Sequence, residues 1–431
     1  MRTKLMTAAL GITLLASTAA CGGDDGGGGG SSESTGATGP IKIWLSNNPD
    51  EIAWGKAMVK EWNAANPDEQ VTAQEIPAGK TSEEVIAAAI TAGNAPCLVY
   101  NTSPAAVPQF QKQGGLVALD GFDGATEYIE ERSGEVAEQY KSPDGQYYQI
   151  PWKSNPVMIF YNKGVMEKAG VDPENPPLAT YDEFLDTSRK IVDSGAAQAA
   201  IWPAPTSEFF QSWFDFYPLF AAETGGQQLV EDGEATFDSE EGQAVADFWA
   251  TMYSEGLAQK EEYNGDAFAD QKSAMSIVGP WAIAVYGEAV EWGAMPVPTS
   301  MGTAPEETYT FSDAKNIAIY SACENQGTAW ELLKFSTSEE QDGKLLEMTG
   351  QMPLRTDLPS VYPDYFQQNP EYEAFADQAS RTVEVPNVPN SIEIWQTFRD
   401  AWSESVIFGE TSPEEALSGA ADEVNELAGQ S

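Results

Sequence analysis

Histidine is absent from the 431 residues, and that absence limits the chemistry open to the rest. Ser-His-Asp and Cys-His nucleophilic schemes lose their base, and zinc loses its commonest ligand. What remains is a large stock of carboxylates and rings: 67 Asp+Glu, 12 Trp, 16 Tyr and 18 Phe. A pair of carboxylates suffices for glycosidic hydrolysis, so the acids keep a secreted carbohydrate-active enzyme open as a reading. They are dispersed rather than clustered, however, which gives no metal site, and no cofactor is implied. The cysteines are Cys21, Cys97 and Cys323, each with a different neighbourhood.

Cys21 ends a leader. Arg2 and Lys4 carry its positive charges, and Leu5 to Ala20 is uncharged and apolar, the pattern of a secretory signal over residues 1–20. Ser17-Thr18-Ala19-Ala20-Cys21 followed by Gly22-Gly23 resembles a bacterial lipobox, with Thr18 where that pattern usually has Leu. Cys21 is therefore the expected site of lipidation, anchoring the chain to the outer face of the cell membrane. Residues 21–39, with Asp24-Asp25, the glycine run 26–30 and Ser31-Ser32-Glu33-Ser34, are expected to form a flexible tether, too polar to offset the entropy of ordering. In an oxidising compartment Cys97 and Cys323 are open to a disulfide, with buried free thiols as the alternative.

The body beyond the tether, about 390 residues, exceeds what one compact core usually holds, so two lobes are expected. No later stretch approaches the length of apolar chain that spans a bilayer. The formal net charge of −45 repels nucleic acid and anionic membrane surfaces, which removes both as partners. A monomer is expected.

The elements that must position any site begin with Ile41-Lys42-Ile43-Trp44-Leu45, a strand apolar at nearly every position. Ile52, Met58, Val59 and Trp62 recur at helical spacing, and Asn66-Pro67 stops that helix. Val71 to Ile76 alternates as a strand. Thr81 or Ser82 caps a helix bearing Val85, Ile86, Ala89 and Ile90 on one face, and Leu98-Val99-Tyr100 is a third strand. This succession predicts a parallel sheet wrapped by helices, with ligand beyond the carboxyl ends of its strands, at Ser46-Asn47-Asn48 and at Asn101-Thr102-Ser103. Turn chemistry alone also accounts for Asn and Ser there. Tyr147 to Trp152 and Val157 to Tyr161 are extended runs broken by Lys153-Ser154-Asn155-Pro156, where the chain is expected to change sheets. Residues 164–291 read as mostly helical, including Tyr181 to Val192, Phe209 to Phe220 and Glu240 to Tyr253. Met275 to Val278 and Ile317 to Tyr320 return to strand, and Thr328 to Phe335 to helix.

Ile150-Pro151-Trp152 with Phe160-Tyr161-Asn162-Lys163, then Ala169-Gly170-Val171, Pro176-Pro177 and Thr180-Tyr181-Asp182-Glu183-Phe184, form a first landmark. Gly279-Pro280-Trp281 is a second and Gly350-Gln351-Met352-Pro353-Leu354-Arg355 a third. In order and separation they resemble the extracellular solute-binding proteins of the sugar-binding, maltose-binding-like class, over roughly residues 40 to 430. The resemblance implies a two-lobed periplasmic-binding-protein-like (type II) α/β fold with a hinge and an interlobe ligand cleft. Carried onto this chain, lobe 1 is 40–150 plus 312–350 and lobe 2 is 151–311 plus 351–431. Cys97 and Cys323 then share a lobe. The implied partners are a carbohydrate ligand, mono- or oligosaccharide, and the permease of an ABC-type importer, with no catalysis. The same fold carrying an amino acid, a metal or a phosphate is the other alternative.

A sugar presents apolar C–H faces and a rim of hydroxyls, so its binder needs aromatic plates and hydrogen-bonding groups. The resemblance places Trp281 as the plate, Gly279 as a close backbone approach and Arg355 in the cleft. Trp152, Lys153 and Asn155 lie at the expected crossing between lobes. Trp213 and Tyr217 lie one turn apart on a stretch that also holds Phe210 and Phe214, a stripe that suits a core as well as a platform. Trp395 completes the candidate ligand contacts, with Trp44 assigned to packing. After the third strand the chain offers Asn101 and Thr102 where sugar-binding members often supply Asp or Arg.

Overall fold

The computed structural model describes residues 35–46, 48–78, 81–203, 211–286 and 289–429. The signal segment, Cys21 and the tether to residue 34 lie outside the described residues, as do Phe209 and Phe210.

Strand β1 (Ile41–Leu45) pairs in parallel with β2 (Val71–Glu75) and β3 (Leu98–Thr102), as the strand–helix succession predicts. Helix α1 (Pro49–Ala65) starts where Asn48 accepts from the Asp50 and Glu51 amides, with Pro49 at the first position and Trp54, Met58, Val59 and Trp62 turned inward. Helix α2 (Ser82–Thr91) is capped by Thr81, whose hydroxyl accepts from the Glu84 amide. Two strands from farther along, β4 (Ile150–Lys153) and β12 (Lys315–Ile319), complete a five-stranded sheet in the order β2-β1-β3-β12-β4. Its faces are both covered, one by Ile43, Tyr100, Trp54 and Trp152, the other by Trp44, Val99, Phe110 and Tyr320.

The second sheet runs β10 (Trp292–Met295), β5 (Met158–Asn162), β9 (Ser273–Val278), β6 (Ala199–Ile201). Strand β6 corrects the reading of 164–291 as mostly helical with one return to strand, and β10, just beyond that stretch, had no expectation set on it. They are too short to show a period, and pairing with β9 and β5 holds them extended. Helices Tyr181–Asp193 and Glu240–Ser254 lie where periodicity places them, the first with a capping box between Thr180 and Glu183. The expected helix from Phe209 to Phe220 is broken within its described part: Gln211–Trp213 is a tight turn, and the helix begins at Phe216. Two-residue ribbons pair β7 (Val230–Glu231) with β8 (Glu234–Ala235) and β11 (Thr310–Phe311) with β13 (Thr382–Val383).

The chain passes between the two sheets at residues 154–157, 312–314 and 350–353. These segments lie side by side. Lys153 pairs with Pro353 and Pro156 with Ser312, and the Ser154 amide donates to Met352 O at 2.9 Å. The Ser154 and Ser312 hydroxyls also bond. Because Pro151 and Lys153 pair with β12, residues 151–153 belong to the first sheet, which moves the first crossing past the expected 150/151 boundary.

Cys97 and Cys323 form a disulfide within the first lobe, Cα to Cα 4.6 Å, settling the choice left open above. The end of the expected tether is corrected as well. Ala37 O accepts from the Gly327 amide at 2.8 Å, and the Gly39 amide donates to Thr328 Oγ1 at 3.0 Å, so this part is docked on helix Gln326–Ser336. A Cβ on Gly327 would stand 2.8 Å from Ala37 O, so the approach needs glycine.

Candidate functional site

Beyond the carboxyl ends of β1 and β3 the residues expected to face a ligand divide in two. Asn48 Oδ1 is committed to the α1 amides, 2.9 Å from Asp50 N and 3.2 Å from Glu51 N, so its side chain is a helix cap. Asn101 adopts φ 68°, a left-handed conformation that asparagine tolerates better than most side chains. Its Oδ1 and the Ser103 hydroxyl are buried without a hydrogen-bond partner among the described residues. The turn Pro104–Ala106 then packs on helix Ser391–Trp402 of the second lobe, with Ala105 entering that lobe's core.

At the crossings, the candidate contacts are tied into the protein itself. Lys153 bonds the Glu51 carboxylate and Gln351 Oε1, the latter at 2.6 Å, and all three side chains are buried. Burial pulls the Lys153 pKa down against the opposing charge of Glu51. Burial works to raise that of Glu51, but the charge and hydrogen bond of Lys153, with Ser46 and Gln351, bring it below the ordinary value. Asn155 accepts from the Met352 amide at 3.2 Å and donates to Asp313 O at 3.4 Å, spanning the crossings. Arg355 is similarly engaged: Nε lies 3.0 Å from Asp342 Oδ2 and Nη2 3.0 Å from Thr337 O. The other partner of Asp342 is Arg132, which also donates to the carbonyls of Pro151, Trp152 and Leu354. Asn48, Lys153, Asn155 and Arg355 thus each have partners within the protein itself. Removing either member of such a buried pair strands a charge, at a cost of about 3–5 kcal/mol.

The tryptophans separate as sharply. Trp152 is fully buried between Trp54 and Tyr100, ring centroids 5.4 Å from each, in the core of the first lobe. Trp395 and Trp213 are buried edge to face 5.7 Å apart. Trp281 is only partly buried and lines a cavity of about 340 Å³ with Trp202, Phe214, Trp249, Phe268 and Tyr286. That size lies at the small end of ligand pockets. Gly279 acts on Trp281: a Cβ there would fall 2.0 Å from the Trp281 ring, so glycine lets the ring lie over the backbone. No single contact explains the whole aromatic assembly. Trp281 meets Phe214 at 6.2 Å, Phe214 meets Phe311 at 5.9 Å, and Phe311 meets Trp213 at 5.7 Å, carrying a run of rings from the cavity to the second crossing. Trp202 and Tyr286 are not picked out by the sequence because a three-residue strand, which Trp202 follows, and a four-residue helix, which Tyr286 ends, give no periodic signal.

One acid stands apart. Glu384, just after β13, is buried and neither carboxyl oxygen has a hydrogen bond of good geometry among the described residues. Burial pushes its pKa up to about 8, partly opposed by the Tyr140 and Ser312 hydroxyls and by Lys315, and reinforced by Asp313. No signal in the sequence distinguishes it from the other acids.

With this geometry established, comparison with known proteins gives concordant results. The family model described as bacterial extracellular solute-binding protein matches residues 57–374. The diacetylchitobiose binding protein of Streptomyces coelicolor is 26% identical over 407 residues, 90% of each chain. An sn-glycerol-3-phosphate-binding periplasmic protein of Salmonella typhimurium is 25% identical over 425 residues, 91% of this chain and 93% of that one. The crystal structure of a cyclic alpha-maltosyl-1,6-maltose binding protein from Arthrobacter globiformis superposes with a TM-score of 0.77, at 20% identity, over 91% of this chain and 100% of that one. That likeness establishes the two-lobed fold.

Proposed function

The chain belongs to the bacterial extracellular solute-binding proteins, and on that premise we propose that it captures an uncharged mono- or oligosaccharide and delivers it to an ABC-type sugar importer. The observation that carries this reading is the cavity at Trp281, walled by rings and without a basic side chain among its described lining residues. Aromatic faces match the C–H faces of a pyranose, whereas a phosphate ester would call for cations or a nest of amides. The cations singled out from the sequence are engaged with acids, Lys153 with Glu51 and Arg355 with Asp342, which favours a neutral sugar over a glycerol phosphate.

Capture needs no covalent step. Ligand in contact with both lobes stabilises whichever arrangement offers more contacts and shifts the population toward it. In this reading the crossings at 154–157, 312–314 and 350–353 are the hinge, and Asn101 and Ser103 offer unsatisfied oxygens from the first lobe toward the ligand. Lipid on Cys21 keeps the carrier beside its permease, with the domain boundaries falling at the crossings. The test is a melting-temperature screen. Neutral saccharides should raise the transition, by about 2.7 kcal/mol of added stability at a hundred times the dissociation constant, while sn-glycerol 3-phosphate should not. Stabilisation by the phosphate ester alone refutes the reading, and turnover of an oligosaccharide at ordinary catalytic rates replaces it with the enzyme.

A further inference from the structure

The methionines differ in what can reach them. Met1 and Met6 lie in the expected leader. Met58, Met158, Met166, Met252, Met275 and Met352 are at most 3% exposed, and Met295 on β10 is half-buried. Met348, on helix Glu339–Thr349, is 44% exposed. Met301 is 88% exposed, more than any other large apolar side chain among the described residues. Its backbone is nonetheless held on both sides. The Thr299 amide donates to Ala179 O and Thr299 O accepts from the Tyr181 amide, both at 3.1 Å. Ser300 Oγ donates to Glu223 Oε2 at 2.9 Å, and the Thr303 amide donates to Thr299 Oγ1 at 2.8 Å. The thioether takes no part in these bonds, so the loop does not depend on the state of its sulfur.

We infer that Met301 is a site of oxidative modification, taking the first oxidising equivalent that a peroxide outside the cell delivers, and that its sulfoxide leaves the fold intact. The sulfur lone pair attacks one peroxide oxygen, an S–O bond forms and the O–O bond breaks. The proton on the transferred oxygen passes to the departing hydroxide, which leaves as water. Sulfur loses two electrons and the peroxide gains them. At the buried methionines packing denies the peroxide that approach, and a sulfoxide would set an unpaired polar group among apolar side chains. At Met301 the new S–O group stands in water, where it finds partners. This goes beyond solute capture and holds for any ligand.

The test exposes the whole mature protein to limiting hydrogen peroxide and follows oxygen uptake at each methionine by peptide mass spectrometry. Met301 should oxidise severalfold faster than Met348 and faster still than the buried methionines, and in concentrated urea the rates should converge. Met301→Leu should remove the fastest phase without changing the melting temperature, and wild type carrying one added oxygen should melt as untreated protein does. Met348 or a buried methionine keeping pace with Met301 in the folded protein overturns the assignment. A preference that persists in urea shows that local sequence, not exposure, sets the order, and overturns it as well. A lowered melting temperature in singly oxidised wild type overturns the claim that the sulfoxide leaves the fold intact.

Discussion

Replacing Glu384 by Gln should make the protein more stable at alkaline pH. The ordinary carboxyl value is 4.5, and burial among Tyr140, Ser312, Asp313 and Lys315 raises it to about 8. Between those values the folded chain holds a proton that the unfolded chain has released, so stability falls as pH rises, by about 1.4 kcal/mol per unit. The window spans roughly 3.5 units, and the accumulated loss by pH 8 is therefore of order 5 kcal/mol, a large share of a typical folding free energy. Above pH 8 the loss is complete and the curve levels. Glutamine is neutral throughout, and its amide can donate toward the Tyr140 and Ser312 oxygens. Urea denaturation of wild type and Glu384→Gln from pH 4.5 to 9 should give a stability difference that grows steadily in favour of the variant. Taking the difference cancels the repulsion among the many other acids, which ionise alike in both proteins. A difference that stays flat across that range refutes the assignment of a buried, protonated carboxyl.

Converting Cys97 and Cys323 together to Ala opens a loop with a sequence separation of 226 residues, and chain entropy puts the loss near 5 kcal/mol. Because both cysteines lie in the first lobe, calorimetric affinity for ligand below the melting transition should be unchanged. Gly279→Ala should displace the Trp281 ring, which a Cβ would meet at 2.0 Å; we expect about 1–3 kcal/mol of overpacking and a matching loss of sugar affinity, read by denaturation and calorimetry. Asn48→Ala should cost about 1 kcal/mol of stability through the lost helix cap and leave affinity intact; a selective affinity loss would return Asn48 to the ligand. Cys21→Ser should release the protein from the cell surface into the medium with its affinity unchanged, measured by fractionation.

Local signals were legible where the physics is local. Thr81 and Thr180 sit before acidic first turns and cap their helices, and the alternation around Val71 and the apolar run at Ile41 mark strands. The strands β6 and β10 were not legible because their extension comes from pairing with distant neighbours. The same reason explains the site. Lys153 and Glu51 are 102 residues apart, and Arg132 and Asp342 are 210 apart, so no spacing rule could join them and neutralise the cations. The aromatics offered the opposite difficulty: Trp152, Trp281 and Trp395 are alike in composition, and only packing tells a core ring from one that lines a cavity.

That packing bears on how ligand could move the lobes. The crossings are held by directional bonds: Ser154 to Met352 and Asn155 to both Met352 and Asp313. Buried polar bonds fix one register, because a slid strand would leave donors unpaired at about 1–3 kcal/mol each. Sliding of one crossing past another is thereby disfavoured, and rotation that preserves these bonds is the cheaper motion. Trp281 reaches the same place by a different route, through Phe214 to Phe311, immediately before the second crossing. A close-packed run of rings cannot accept a shift of one member without adjustment by the next. A run of packed rings thus joins the cavity to the second crossing within the second lobe, and the buried Glu384 lies beside Ser312 and Asp313 of that same crossing.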